Sequence, residues 1–417
     1  MSNQIIQISK SKLYGQVKVS GAKNSALCLL AASILTDEDV ELSNFPNGLL
    51  DVQIHLGMLT VLGKNYRTST GSIIINEKNN KKATTLKWQD RAIRSTLLIL
   101  GALTARFGEG CVPLPGGCKL GNRKHDLHIM LLKKMGAEVW EDNDYLYAKV
   151  KEKLQGCEIH LPIRSTGATE NAIICGSLAE GKTTIWNPHI RPEILDLISM
   201  LRKMGAEIKI FGQQCIEING VDKLNRVKHS VIPDNMEAIT WAIASVISNG
   251  DIEIINFPFE HLEVPLVFLR ESGMKYFHGS NSLIVRGGKP YPVDISTGPY
   301  PGINSDMQPL FAVYGACSNG ESRIVDLRFP GRYGYAEELG KMGMSYSIEG
   351  DLLKIHGNSK FIGAKVTAID LRAGIALLLA GLISKGETII DEAWQIERGY
   401  EDIVNKLQNL NGSINVI

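Results

Sequence analysis

Cys118 is the side chain in this sequence best placed to react. It lies in Leu114-Pro115-Gly116-Gly117-Cys118-Lys119-Leu120-Gly121-Asn122-Arg123, a glycine-rich loop with two cations close behind the thiol. A backbone that bends freely, next to positive charge, favours a thiolate or the grip of an anionic substrate. A structural cysteine reads differently, as Cys175 does in the apolar run Asn171-Ala172-Ile173-Ile174-Cys175. Other residues suited to anions and protons gather elsewhere in the chain. Lys23 follows a glycine turn in Val19-Ser20-Gly21-Ala22-Lys23-Asn24 and opens an apolar helix. Free N–H groups, helix dipole and ammonium there all favour an anion. Taken alone, such a lysine is more often an exposed residue at a helix start. Arg94, Arg123, Arg372 and Arg398 are each embedded in apolar or glycine-rich sequence. Each must be paired or hold a ligand. Singly they read as structural ion pairs. Several arginines at helix starts, together with Lys23 and Cys118, point to a site for phosphate and carboxylate. Asp306 ends a proline- and glycine-bounded loop, Pro299-Tyr300-Pro301-Gly302-Ile303-Asn304-Ser305, that runs straight into a helix. It reads as an N-cap or as a general base for a hydroxyl proton.

The bulk of the chain limits what those residues serve. A length of 417 residues suffices for two domains with their own cores. With 45 Lys+Arg against 44 Asp+Glu, no global field draws in nucleic acid or a membrane. Any anion recognition must come from local clusters. The seven cysteines show no CxxC or Cys/His metal spacing. That pattern argues for a reducing compartment and against disulfides or zinc. Residues 1–8 lack the basic-then-apolar plan of a signal peptide, and the longest apolar run, Ala373–Ile383, is too short for a bilayer. The expectation is a soluble, cytoplasmic protein without metal or cofactor, working on small molecules.

The elements that position these residues repeat. Six times an apolar helix ends in a glycine and a short strand follows, at Gly63, Gly136, Gly205, Gly273, Gly343 and Gly412. The spacings are 73, 69, 68, 70 and 69 residues. The clearest copies are Leu132-Lys133-Lys134-Met135-Gly136-Ala137-Glu138-Val139 and Leu201-Arg202-Lys203-Met204-Gly205-Ala206-Glu207-Ile208. Glycine suits the left-handed position that ends a helix. A second marker keeps step with the first: a helix rich in alanine, then Gly181, Gly250, Gly320 or Gly386, then a strand. Each unit of about 70 residues thus holds two helices and several strands. The helices around Ala31, Ala242 and Ala373 are small and apolar nearly all round, as close-packed interior helices must be. The pattern predicts an α/β chain of two domains, each of three repeated units with helices inside and sheets outside. The midpoint boundary falls near residues 228–234, with the halves facing each other across a cleft.

Several motifs carry a resemblance to a known family. They are Gly21-Ala22-Lys23-Asn24, Ala105-Arg106-Phe107-Gly108, Leu114 to Cys118, Gly121-x-Arg123, Asp126-Leu127-His128, Ser305-Asp306-Met307-Gln308, Asp370-Leu371-Arg372-Ala373 and Arg398-Gly399-Tyr400-Glu401. Nearly the whole chain resembles the enolpyruvyl transferases, and among them the UDP-N-acetylglucosamine branch of peptidoglycan synthesis. The resemblance implies two inside-out α/β barrel-like domains, 22–232 with the Cys118 loop and 1–21 plus 233–417. It implies transfer of the enolpyruvyl group of phosphoenolpyruvate to a sugar hydroxyl, with release of phosphate and no metal. Lys23, Arg123 and Arg398 would hold phosphoenolpyruvate, with Arg94 and Arg372 nearby. Cys118 would protonate the methylene carbon or add to the substrate, and would react with fosfomycin. Asp306 would take the hydroxyl proton, and Asp370 would share in proton handling. Asn24, Arg123, Lys124, His125, Asp126, Leu127, Ser165, Thr166, Gly167, Asp306 and Phe329 would meet the acceptor.

The departures from that family lie on the acceptor side. Lys124-His125 stands for Pro-Val, Ile163 for a lysine, Ile190-Arg191 for Arg-Glu, Asn235 for Arg, and Pro330-Gly331 for Glu-Asn. The acceptor is therefore a nucleotide sugar or another nucleotide such as UMP. A non-catalytic binding relative is the third reading, and the retained Lys23, Cys118, Arg123, Asp306 and Arg398 speak against it.

Overall fold

The computed structural model describes residues 4–77, 83–91, 93–114 and 125–417. The chain divides into two compact units, Gly21–Ile232 and Met1–Ser20 with Pro233–Ile417. Within each unit one plan recurs, shown by the first copy. Helix Lys23–Ala32 leads to strand Val40–Ser43, helix Leu50–Val61, and a hairpin of Asn65–Ser69 and Ser72–Asn76.

The two helices of a copy differ because their sequences differ. The leading helices are mostly small and apolar and are buried over most of their length, the first, Lys23–Ala32, leaving Asn24 exposed. All of Thr96–Ala105, Gln308–Ala316 and Leu371–Gly381 is buried. Two of the second helices are buried on one stripe only: Asp126–Lys134 buries His128, Leu131 and Leu132, and Glu263–Glu271 Pro265, Leu266 and Leu269, whereas Leu50–Val61 is buried over most of its length. Close approach fixes the residue sizes. A methyl on Gly101 would stand 1.9 Å from Asn171 Oδ1, so helix Thr96–Phe107 packs onto helix Thr166–Gly176 at a distance only glycine allows. Truncating a fully buried leucine such as Leu377 would cost about 2–5 kcal/mol.

The strands form six sheets, three in each unit, and no closed barrel among the described residues. In unit Gly21–Ile232 the first sheet runs Val227–Ser230, Val40–Ser43, Ser72–Asn76, Asn65–Ser69. Its outer strand pairs in parallel, with Val227 beside Val40 and Ser230 beside Ser43. In the other unit Tyr14–Lys18 likewise pairs in parallel with Asp251–Ile255. Each unit therefore completes a sheet with a strand from far along the sequence, and the second does so again where Ile6–Ser9 pairs with Glu387–Asp391 and Ser413–Val416.

Five of the six helix-ending glycines, Gly63, Gly136, Gly205, Gly273 and Gly343, have φ between +91° and +103°. The sixth expectation needs correcting. Asn411 (φ +65°), rather than Gly412, takes the left-handed position, which asparagine tolerates better than other side chains. Among the described residues no helix is long and apolar enough to cross a membrane.

Candidate active site

In unit Gly21–Ile232 the chain turns at Gly21, where a Cβ would collide with Asn44 O at 1.9 Å. The helix Lys23–Ala32 follows at once. Lys23 is not the exposed lysine of the bland reading. Its side chain is 13 % exposed, and its Nζ lies 3.3 Å from Oδ2 of the buried Asp51. Asn24 points to solvent, while Ser25 Oγ donates to Asp196, which also pairs with His229 Nε2 at 2.7 Å.

A second group forms around the start of helix Thr166–Gly176. Ser165 caps it, accepting from Ala168 N at 3.4 Å, and Thr166 Oγ1 bonds His189 Nδ1 at 2.9 Å. Gly167 leaves room for His128, whose Nε2 would lie 3.3 Å from a Cβ there. Asn171 Nδ2 donates to His128 Nδ1 at 3.1 Å. Burial, then the charges of Arg94 and His125, push the His128 imidazole down to about 3. Arg94, two residues before helix Thr96–Phe107, is thus brought electrostatically close to His128. His125 precedes helix Asp126–Lys134 and pairs with Glu141 at 2.7 Å. Asp126 opens that helix, and Leu127 rests half-buried on the core.

The departing residues take definite places. Ile163 is 47 % exposed, and the neighbouring cation is Arg164, whose Nε donates to Asn187 Oδ1 at 3.3 Å. Arg191 forks onto Glu193 at 2.8 and 2.9 Å. Beside this pair, burial and then the Glu193 charge push the Glu170 carboxyl up to about 8. Asn235 is buried behind Asp234, whose Oδ1 accepts from Met236 N and Glu237 N.

The other unit holds Asp306. The helical turn Ser305–Met307 is capped by Asn304, whose Oδ1 accepts from Asp306 N at 3.0 Å. Asp306 is therefore not the cap, and its carboxylate is engaged by cations instead. Arg332 Nη1 donates to Oδ1 at 2.8 Å and Arg372 Nε to Oδ2 at 3.2 Å. Burial works against charge on both guanidiniums, but the nearby anions together, Asp306 foremost, outweigh it and hold both above their usual range. Arg372 also stands 5.9 Å from the Tyr400 ring centre. Tyr400 bonds Thr240 Oγ1 at 2.8 Å, and burial pushes its phenol up to about 12.

Asp370 caps helix Leu371–Gly381, accepting from Arg372 N at 2.7 Å and Ala373 N at 2.8 Å. Arg398 differs from expectation. It ends rather than starts a helix, following Trp394–Glu397, and donates to Gln395 Oε1 at 3.0 Å. Phe329 is half-buried, with Arg328 and Arg332 at 5.4 and 5.8 Å from its ring centre.

Cys118, Lys119, Arg123 and Lys124 lie outside the described residues. Among the described residues no three His, Cys, Asp or Glu side chains gather so as to hold a metal ion. Sequence reasoning missed Asp51 and Arg332 as partners of Lys23 and Asp306. Arg332 had a signal, an arginine retained just after Pro330 and Gly331, which depart from the family pattern.

Residues 8–407 match the family model of EPSP synthase (3-phosphoshikimate 1-carboxyvinyltransferase). The chain belongs to this family of carboxyvinyl, or enolpyruvyl, transferases. It is 42 % identical over 404 residues to UDP-N-acetylglucosamine 1-carboxyvinyltransferase 1 of Carboxydothermus hydrogenoformans, covering 96 % of this chain and 95 % of the relative. It is 40 % identical over 408 residues to UDP-N-acetylglucosamine 1-carboxyvinyltransferase of Actinobacillus succinogenes, covering 97 % of both. In fold it is similar to the enolpyruvyl transferase NikO from Streptomyces tendae, with a TM-score of 0.89, 23 % identity and 99 % of both chains covered. EPSP synthase from Acinetobacter baumannii matches with a TM-score of 0.76 at 18 % identity, covering 99 % of this chain and 100 % of that one.

Proposed function

We propose that this protein transfers the enolpyruvyl group of phosphoenolpyruvate to the 3-hydroxyl of UDP-N-acetylglucosamine, releasing phosphate, as a cytoplasmic step of peptidoglycan precursor synthesis. Likeness over the full length to relatives named for that acceptor supports it. The observation that carries the chemistry is Asp306, relieved of capping by Asn304 and set between two guanidiniums.

The acceptor hydroxyl gives its proton to the Asp306 carboxylate. Its oxygen bonds to C2 of phosphoenolpyruvate as the double-bond electrons take a proton from Cys118 at the methylene carbon. The tetrahedral carbon then carries phosphate, carboxylate and sugar oxygen. Phosphate leaves with its C2–O electrons and the proton held by Asp306, and the methyl carbon returns a proton to the Cys118 thiolate, which restores the double bond and both side chains. Lys23, Arg123 and Arg398 are assigned to the phosphate and carboxylate of phosphoenolpyruvate, and Arg94 and Arg372 to the same substrate, as cations that offset its charge. Asp370 is assigned to proton handling. Asn24, Ser165, Thr166, Gly167, the stretch Arg123 to Leu127 and Phe329 are assigned to the acceptor. The largely buried leading helices support the finer fold reading, in which each unit is an inside-out α/β barrel-like domain.

A second reading keeps the chemistry and changes the acceptor to a nucleotide such as UMP. It is favoured by Ile163 exposed in place of a lysine and by Arg191 locked onto Glu193. Phosphate release from phosphoenolpyruvate, with UDP-N-acetylglucosamine, UMP and shikimate 3-phosphate as rival acceptors, decides between them. We expect turnover with UDP-N-acetylglucosamine. Turnover with UMP alone moves the assignment to the second reading, and none with any acceptor sinks both. Cys118→Ser should abolish turnover and protect the protein from fosfomycin; an active variant removes the thiol from the mechanism.

A further inference from the structure

Just after strand Ser322–Val325 stands a carboxylate that none of the roles above uses. Asp326 is 1 % exposed, and no cation pairs with it among the described residues. Five donors converge on it instead. Oδ1 accepts from Thr297 Oγ1 at 2.7 Å, Arg328 N at 2.9 Å and Phe329 N at 3.0 Å. Oδ2 accepts from Ser305 Oγ at 2.6 Å and from Gln308 Nε2. Tyr335 Oη donates to Gln308 Oε1 at 3.1 Å, which fixes how that amide is turned. A buried carboxylate is tolerable only with its lone pairs so satisfied.

The Ser305 link reaches the chemistry. A hydroxyl has one proton, and Ser305 gives it to Asp326. Towards Arg332 it therefore presents only lone pairs, and Arg332 Nη1 donates to it at 3.0 Å. The same Nη1 donates to Asp306 Oδ1 at 2.8 Å. With an amide at position 326, the serine proton would be free to turn to Asp306 and compete with Arg332.

We infer that Asp326 is a positioning residue for Asp306. It acts through Ser305 and Arg332, and its hold on the Arg328 and Phe329 N–H groups fixes the loop that carries Phe329. The inference rests on the reading of Asp306 as the base for the acceptor hydroxyl.

The test uses the full chain with Asp326→Asn, Ser305→Ala and the double variant, assayed with the acceptor that supports turnover. Each single variant should lower kcat roughly ten- to a hundred-fold, because small misplacements of a reacting group are that costly. KM for phosphoenolpyruvate should stay within about threefold, since other cations hold that substrate. The acid limb of the kcat profile should move to higher pH, as Asp306 loses a firmly held cation. The double variant should be no worse than the more severe single one, because both act through one link. Losses that multiply, or a raised KM with kcat kept, would overturn the inference. If Asp326→Asn does not fold, Ser305→Ala decides alone, and an unchanged kcat and pH profile there overturns it. Asp306→Asn keeps the underlying reading separate. Full activity in that variant removes Asp306 as the base. Loss there, with wild-type behaviour in the other two, overturns the positioning role only.

Discussion

Two guanidiniums, those of Arg332 and Arg372, converge on the single carboxylate of Asp306. Arg332 and Arg372 are 10 % and 6 % exposed in their side chains, Asp306 28 %, so the group is largely shielded from water. Removing the carboxylate leaves two buried cations facing each other. Asp306→Ala should therefore destabilise the protein by about 2–3 kcal/mol, less than the ~3–5 kcal/mol of a fully buried broken pair because Asp306 keeps some solvent. Adding Arg332→Met should restore part of that loss, since one unpaired charge goes with it. Urea midpoints of the two single variants and the double check this, and additive losses would show the pair to be energetically idle. The sequence made Asp306, Arg372 and Lys23 legible because loop and helix-start patterns surround them. It could not show Arg332 or Asp326 acting on them, since those links join residues 26 and 21 positions apart through side-chain geometry alone.

At the level of elements, Asp370 at a helix start is where a capping role and the proposed chemical role can be separated. As a cap it uses one oxygen to accept from two backbone N–H groups. An asparagine carbonyl does the same nearly as well. Asp370→Asn should therefore change stability by less than about 0.5 kcal/mol, while a residue that handles protons loses about a hundred-fold in kcat. Thermal unfolding beside the phosphate-release assay tests this. A stable variant with full activity would leave Asp370 as a cap only. The repeated helices could be read in advance because the leading ones are mostly small and apolar and two of the second ones are buried on one stripe only. The paired strands could not. Val227 lies beside Val40 and Asp251 beside Tyr14, and four- or five-residue strands carry no periodicity that names a partner so far away. The same limit explains Asn411, which did the work expected of Gly412 because the helix ended one residue earlier.

Across the whole molecule, buried titratable groups in unit Gly21–Ile232 set how stability answers to pH. His55 is fully buried, and neither ring nitrogen has a partner among the described residues. Burial pushes it down to about 3, as it does His128, whose neighbours Arg94 and His125 add to the effect. Both are held neutral in the fold, so their contribution is complete above about 6.5 and is lost as pH falls towards 3. Glu170 has the opposite sign. Burial raises it to about 8, so its contribution is complete below about 4.5 and is lost as pH rises towards 8. Between about 4.5 and 6.5 unfolding takes up two histidine protons and releases one from Glu170, and stability rises with pH by about 1.4 kcal/mol per unit. From about 6.5 to 8 the Glu170 contribution is lost while those of His55 and His128 are constant, and these three groups together make stability fall. Urea midpoints should therefore peak near pH 6.5. His55→Leu should raise stability and flatten the acid side, because leucine leaves no buried nitrogen unpaired. Glu170→Gln should flatten the alkaline side alone. A midpoint that keeps rising from pH 6.5 to 8 in the wild type would show that Glu170 is ionised in the fold and that its charge is compensated by Arg191.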